Sequence, residues 1–389
     1  MSLRAVSIAG VGCTPFGAHP DTPIHELALR AARAAIDEAG VARADIGSLY
    51  LGNFIGGMLT GQEVLAGLVG DALGLANVPC TKVEGACASG GIAFRHACLM
   101  VACGQCDAAL AVGVEKMTHA GTARITAALN AAMDQMADAR SGLTWPGLYA
   151  MAWRAHAARH GTRREQVSAV VIKNKANGLR NPLAQMGAAL DAQAVADSKP
   201  IADPVRLFDC CAPGDGAAAV VVVARERAGA GGALPVDVRA SVQTRGAARL
   251  ASHRDITSFD ATVSAAREAY RQAGIGPRDL DFVELHDCFS IAEILDAEDL
   301  GLIPRGHGGG WSLEGRTGMA GDLPINASGG LLAKGHPVGA TGLGQIYEAV
   351  AQLRDTHPNQ VRGAAIGLTH NLGGTGIACT VNILARPDA

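Results

Sequence analysis

The side chains in this 389-residue sequence with chemistry to offer are ten cysteines and twelve histidines, and four segments set some of them where they could react. Cys87 stands in Val83-Glu84-Gly85-Ala86-Cys87-Ala88-Ser89-Gly90-Gly91, at the head of an apolar helical run through Phe94, Cys98, Leu99 and Met100. A helix N-terminus presents unpaired N–H groups and about half a positive charge, which favours thiolate and offers donors to an oxyanion. Gly85, Ala86, Ala88, Gly90 and Gly91 leave room beside that thiol for a substrate chain. Glu284-Leu285-His286-Asp287-Cys288-Phe289 follows an apolar strand pattern ending at Leu285, and ligands collect at such strand ends in open α/β sheets. Neighbouring residues in a strand alternate faces and no paired cysteine spacing accompanies them, so no metal is expected there. His336 lies in the loop Ala333-Lys334-Gly335-His336-Pro337-Val338-Gly339, leading into another helix. A histidine beside a thiol is how a nucleophilic cysteine is made at neutral pH. The fourth segment, Thr369-His370-Asn371-Leu372-Gly373-Gly374-Thr375-Gly376, reads as a glycine-rich turn whose N–H groups could reach a reacting carbonyl.

An internal repeat supplies the elements that must hold these segments. Arg33-Ala34-Ala35-Ile36-Asp37-Glu38-Ala39-Gly40 falls on Arg267-Glu268-Ala269-Tyr270-Arg271-Gln272-Ala273-Gly274 at an offset of 234, a helix with a glycine stop followed by a buried strand in both copies. Gly85-Ala86 with Gly339-Ala340, and Val112-Gly113-Val114 with Ile366-Gly367-Leu368, continue at an offset of 254. Gly214-Asp215-Gly216-Ala217 matches Gly374-Thr375-Gly376-Ile377 at an offset of 160, which leaves 94 extra residues in the first copy. The repeat therefore predicts two layered α/β halves, residues 1–113 with 214–245 and residues 246–389, and an insertion at 114–213. That insertion, with a helix near Trp153 to His160 and a loop at Asn181-Pro182, is expected to shape the substrate site. The same symmetry brings Cys87 and His336 to the ends of twin central helices.

Composition narrows the function classes. Hydrophobic residues make up 49% and aromatics 4%, so the core is aliphatic, and 50 glycines point to close backbone packing. With 33 basic and 36 acidic residues the net charge of -3 offers no field for nucleic acid or an anionic membrane, and neither partner is expected. The first apolar stretch is broken at Gly10 and Gly12, and the run Ala217 to Ala224 is short of the ~18 residues a spanning helix needs. A cytoplasmic protein with reduced thiols is the expectation. Cys103-Gly104-Gln105-Cys106 and Cys210-Cys211 read as packing thiols, the latter pair close to the site.

Taken in order, Cys87-Ala88-Ser89-Gly90-Gly91, His286-Asp287-Cys288-Phe289, Gly335-His336-Pro337 and His370-Asn371-Leu372-Gly373-Gly374 resemble the motifs of the thiolase superfamily over nearly the whole chain. More narrowly the sequence is similar to sterol carrier protein 2 type thiolases. Ordinary thiolases carry Asn-Glu-Ala-Phe where His286 to Phe289 stand, and a Cys-x-Gly turn where His370 to Leu372 stand. The resemblance implies a duplicated αβαβα layered α/β fold, two five-stranded mixed sheets with an inserted loop domain, assembled as a homodimer or homotetramer. It implies Cys87 as the acylated nucleophile, His336 as its base, Cys288 as the second thiol acid/base and His286 as an oxyanion donor to the thioester enolate. Backbone N–H groups of Cys87 and of the turn at Leu372 and Gly373, with His370 and Asn371 beside them, would form a second oxyanion hole. The implied activity is thiolytic cleavage of a 3-oxoacyl-CoA or the reverse Claisen condensation, with coenzyme A as co-substrate, acyl-CoA as the bound partner and no permanently held cofactor. Two other readings share the fold, a condensing or retro-aldol enzyme and an acyl-CoA or lipid-binding subunit; some relatives also work with a small OB-fold partner protein. The aldolase-like relatives lose the reactive thiols that Cys87 and Cys288 retain. His156 and His160, near Arg154, Arg159 and Arg163, and the cluster Lys173, Lys175 and Arg180 read as solvated faces that could also meet CoA phosphates.

Overall fold

The computed structural model describes residues 3–229 and 231–389. The first half begins with β1 (Val6–Cys13), α1 (Ile24–Ala39), β2 (Ile46–Gly52), α2 (Gly56–Thr60), α3 (Leu65–Ala72), β3 (Cys80–Val83), α4 (Ser89–Ala102) and β4 (Ala108–Glu115). The stretch after it holds α5 (Thr122–Leu129), α6 (Trp145–His160), α7 (Arg164–Gly178), α8 (Ala192–Asp197), β5 (Pro200–Ala202) and β6 (Val205–Arg206). The remainder runs β7 (Gly216–Ala224), β8 (Val236–Arg245), α9 (Asp260–Ala273), β9 (Phe282–Glu284), α10 (Ser290–Asp299), α11 (Gly308–Leu313), α12 (Gly330–Lys334), α13 (Thr341–Leu353), β10 (Ile366–Gly373) and β11 (Ala378–Ala385). Among the described residues one mixed sheet runs β3-β2-β4-β7-β1-β8-β11-β10-β9, and β5 pairs with β6 apart from it.

Five layers follow from which faces are apolar. β4 and β7 are buried at every residue, as strands covered on both faces must be, and so read as unbroken Ala/Val runs in place of alternation. α1 lays Leu27, Ala28, Ala31, Ala32 and Ala35 on the outer face of β1 and β7. α4 and α13 lie side by side between the halves, α4 against β2 and β4 on one side and β8 on the other, α13 against β10 and β7. α9 covers the outer face of β8 and β11. The repeat is visible in the caps, because α1 and α9 both end on a left-handed glycine, Gly40 and Gly274, 234 residues apart.

The hydrogen bonding corrects three sequence expectations. Leu49 on β2 pairs with Leu110, and Val283, its counterpart 234 residues on, pairs with Leu368, so β4 and β10 correspond at an offset of 258 and not 254. Leu368 and Leu372 stand four residues apart on β10, so Val114 meets a leucine at either offset. β8, which the sequence boundary at 245 assigned to the first half, pairs with β11 from Asp237 to Arg245 and meets β1 only at Ser7↔Asp237 and Ile8↔Val236. Its ladder places it with the second half. Finally, the fifth strand of that half shrinks to a single bridge, Val283↔Ile325, because Asn326 turns away with φ 56° and its Oδ1 accepts from Leu285 N at 2.9 Å in place of a ladder bond.

The inserted segment is fused to the second half. Leu148, Trp153, Val167 and Val171 share one core with Ile291, Ile294 and Leu295 of α10. His156 is wholly buried, bonded to Thr162 at 2.6 Å and Glu298 at 3.2 Å, and Lys173 pairs with Glu293 at 3.0 Å while Lys175 is buried as well. The solvated face expected there is a packing surface at His156, Lys173 and Lys175, since the insertion lies on α10 and α12, while Arg154, Arg159, Arg163 and Arg180 stay exposed.

Glycine sets the distance between α1 and the sheet. A Cβ at Gly12 would stand 2.2 Å from Ala31 O and 2.9 Å from Ala34 Cβ. Gly12→Ala is expected to lower the unfolding free energy by about 3 kcal/mol, read as a shift of the urea midpoint, because helix backbone must move. Gly121→Ala, with nothing within 4 Å, is expected to stay within about 0.5 kcal/mol of the parent.

Candidate active site

Cys87 sits in a 3-10 turn, Ala86–Ala88, immediately before α4. The turn is held open by side chains: Glu84 Oε1 accepts from Ala86 N at 2.5 Å, and Ser89 Oγ accepts from Gly85 N and donates to Ala86 O. Ala86 takes φ 50°, unusual for a residue with a Cβ, and the bend turns the chain so that Cys87 lines a cavity of about 220 Å³. His336 is carried by the loop before α13, whose N-terminus touches that of α4; a Cβ on Gly90 would lie 2.9 Å from Gly339 O. Glu115 at the end of β4 ties this region together, accepting from Asn53 Nδ2 at 2.8 Å, Phe54 N at 3.0 Å and Gly339 N at 3.1 Å. Burial raises its carboxyl to about 7 against those bonds.

Three of the four reactive side chains expected from the sequence converge closely. One ligating atom each from Cys87, His286 and His336 lies within 4.8 Å of the others. The two imidazoles meet edge-on with ring centroids 5.0 Å apart, and Cys288 lines the same cavity. Their hydrogen bonds give the rings opposite tautomers. Thr341 Oγ1 donates to Pro337 O at 3.1 Å, so it accepts from His336 Nδ1 at 2.7 Å and leaves His336 Nε2 as an unpartnered acceptor. Asn371 Nδ2 donates to His286 Nδ1 at 3.0 Å, so His286 carries its proton on Nε2.

Burial dominates the electrostatics. It pushes the Cys87 thiol up to about 12, against a lowering by the backbone N–H of Gly374, and pulls His336 down to about 3. Burial and the neighbouring His336 hold His286 well below the usual imidazole range, and burial raises Cys288 well above that of a thiol. The resting site is thus neutral, a thiol facing an imidazole base.

The fourth segment differs from its sequence reading. Residues 366–373 are strand β10, and the turn begins at Gly374, whose N–H reaches the Cys87 sulfur. Asn371 and Leu372 face the site, whereas His370 points to the opposite side of the sheet, bonded to Thr262 at 3.0 Å beneath α9. Strand alternation puts His370 and Asn371 on opposite faces of β10, and Leu372 reaches the cavity from the end of the strand. Gly373 stays beside the cysteine loop, where a Cβ would meet Gly85 O at 2.1 Å. Cys210 and Cys211, expected to be packing, line the cavity, because Cys211 N bonds Cys288 O at 3.0 Å and His336 N bonds Ala212 O at 2.9 Å. Thr341, Glu115 and Tyr149 were not singled out from the sequence, and Gly374 was read only as part of the glycine-rich turn. Tyr149, on α6, stacks on Phe289 with centroids 4.5 Å apart and lines the cavity together with Cys288. Thr341 could have been found, as a hydroxyl opening the helix one turn after His336; Tyr149 carried no signal, since only the fold brings the insertion to the site.

Comparison with known proteins agrees with this geometry. The thiolase N-terminal domain family matches residues 6–189, and a thiolase C-terminal domain-like family matches residues 242–386. An acetyl-CoA acetyltransferase of Methanothermobacter thermautotrophicus is 45% identical over 385 residues, covering 99% of this chain and 100% of the relative. Human sterol carrier protein 2 is 31% identical over 405 residues, with 100% of this chain and 73% of the relative covered. Among solved structures, the Ltp2-ChsH2(DUF35) aldolase superposes with a TM-score of 0.84 at 26% identity, covering 98% of both chains. With both halves matched and the sequence motifs gathered around one cavity, this chain belongs to the thiolase family.

Proposed function

We propose that the protein is a CoA-dependent acyltransferase of thiolase type, working through an acyl-Cys87 intermediate. The observation that carries this is the convergence of Cys87, His286 and His336 within 4.8 Å, with Cys288 in the same cavity. In the cleavage direction His336 Nε2 takes the Cys87 proton as the sulfur attacks the 3-keto carbon, and the backbone N–H groups of Cys87 and Gly374 receive the alkoxide. Collapse breaks the bond between C2 and C3. The departing thioester enolate is held by His286 Nε2–H and the protonated His336, and Cys288 delivers a proton to C2. CoA thiol returns a proton to Cys288, its thiolate takes the acyl group, and Cys87 recovers its proton from His336. Read in reverse, the same steps condense two acyl thioesters.

Residues 114–213 form the substrate-shaping part in this reading, supported by Met117, Leu129, Trp145 and Tyr149 in the cavity wall. The retained thiols at 87 and 288 speak against a retro-aldol role despite the likeness to an aldolase. A homodimer or homotetramer, and a small OB-fold partner like the DUF35 component named in that aldolase, belong to the same proposal. So does a cytoplasmic location; among the described residues no helix is long and apolar enough to cross a membrane.

Intact-mass spectrometry after incubation with acetyl-CoA or acetoacetyl-CoA is expected to show an acetyl adduct that free CoA discharges and that Cys87→Ala lacks. No adduct on folded protein, with these or longer 3-oxoacyl thioesters, would overturn the reading. His286→Ala removes one oxyanion donor and is expected to lower kcat about 10²–10³-fold with KM changed far less. Without substrate, the rate of Cys87 alkylation by iodoacetamide is expected to climb about tenfold per pH unit from 7 to 10 without a plateau, because burial raises the thiol to about 12 and thiolate is lost below that value. A plateau below pH 9 would show a thiolate already stabilised at rest.

A further inference from the structure

We infer that Cys87, His286 and His336 also form an inhibitory site for a borderline divalent transition-metal ion, with Zn²⁺ as the type. Among the described residues this is the group of three side chains whose ligating atoms gather within reach of one ion. One thiolate and two imidazoles are the donors such ions prefer. Zinc bonds of roughly 2.0–2.3 Å place tetrahedral ligand atoms about 3.3–3.8 Å apart, so the trio closes by about 1 Å around the ion. The fourth position faces the cavity, where the walls are Phe54, Val338 and Leu372 and water or substrate oxygen completes the shell.

The surrounding hydrogen bonds support ligation as well as catalysis. His336 already presents Nε2 to the cavity, with Nδ1–H held by Thr341, the arrangement that orients a metal-bound imidazole. His286 needs the other tautomer. Its proton moves from Nε2 to Nδ1 if the Asn371 amide turns over, and Asn371 Oδ1, buried without a hydrogen-bond partner, is the acceptor that would receive it. The proton stays on the ring, so binding releases one proton, that of the Cys87 thiol, and forms one metal–sulfur bond. The sulfur that takes the ion is the one that would be acylated, and ion and acyl group exclude each other; this consequence alone rests on the proposed function.

Metal-free protein titrated with Co²⁺ is expected to develop a near-ultraviolet thiolate-to-metal band with one ion bound, displaced by Zn²⁺. The band should be absent from protein alkylated at Cys87 whose circular dichroism matches the parent, and from Cys87→Ala. It should persist in Cys103→Ser, where the thiol is exposed and remote. Affinity should rise about tenfold per pH unit between 6 and 8 as one proton is released. Asn371→Leu should weaken binding about 10–100-fold while the band position is kept. No thiolate band, equal binding by alkylated protein, or loss in Cys103→Ser would overturn the site. Co²⁺ binding without any acyl transfer would leave the metal site standing and remove the thiolase reading.

Discussion

The N-termini of α4 and α13 meet backbone to backbone, and the rest of the site depends on that contact. Gly90 and Gly342 provide it, since a Cβ at either would stand 2.5–2.9 Å from backbone of the facing segment, and Gly113 on β4 makes room for Gly339 beside them. Nothing larger fits. A wider spacing would carry His336 away from Cys87, because each is fixed in the segment that leads into its helix. Glu115 then locks the arrangement from below, binding one loop on each side of the junction. Such a buried carboxylate costs desolvation and is tolerated because three protein donors satisfy it.

Chemistry in this cavity relies on hydrogen-bond direction more than on charge. Burial keeps thiol and imidazoles neutral, so the two histidines differ through what holds their distal nitrogens. Thr341 accepts and leaves His336 Nε2 as an acceptor; Asn371 donates and leaves His286 Nε2–H as a donor. Two identical side chains with ring centroids 5.0 Å apart thereby take complementary roles. The largely apolar lining of the cavity strengthens both. Charge appears only when a reacting group brings it.

The inserted residues 114–213 contribute through packing rather than as a separate flap. Their helices share a core with α10, and the segment that returns to β7 threads Cys210 to Pro213 past Cys288 and His336. Tyr149 on α6 therefore reaches a thiol 139 positions later in the chain, at Cys288. Rigid attachment of this kind fixes the shape of the cavity wall.

Much was legible in the sequence for a local reason. A glycine stop after an amphipathic helix, small residues flanking Cys87 and a histidine before a proline are short-range patterns, and they gave the duplicated α/β architecture, the helix pair and the candidates Cys87, His286, Cys288 and His336 that line one cavity. Strand register was not legible, because Leu368 and Leu372 offer Val114 an apolar match at either offset, and only the ladders β2–β4 and β9–β10 decide it. Nor was the continuation of β10 over 369–373, which reads as a turn from its glycines yet pairs with β11 and so turns His370 away from Asn371. The sequence alone determined which residues could react and that two similar halves would bring them together. Tertiary structure decided their tautomers, their neutrality and the presence of Tyr149 and Cys211 beside them, because those depend on donors, acceptors and burial supplied by segments far away in the chain.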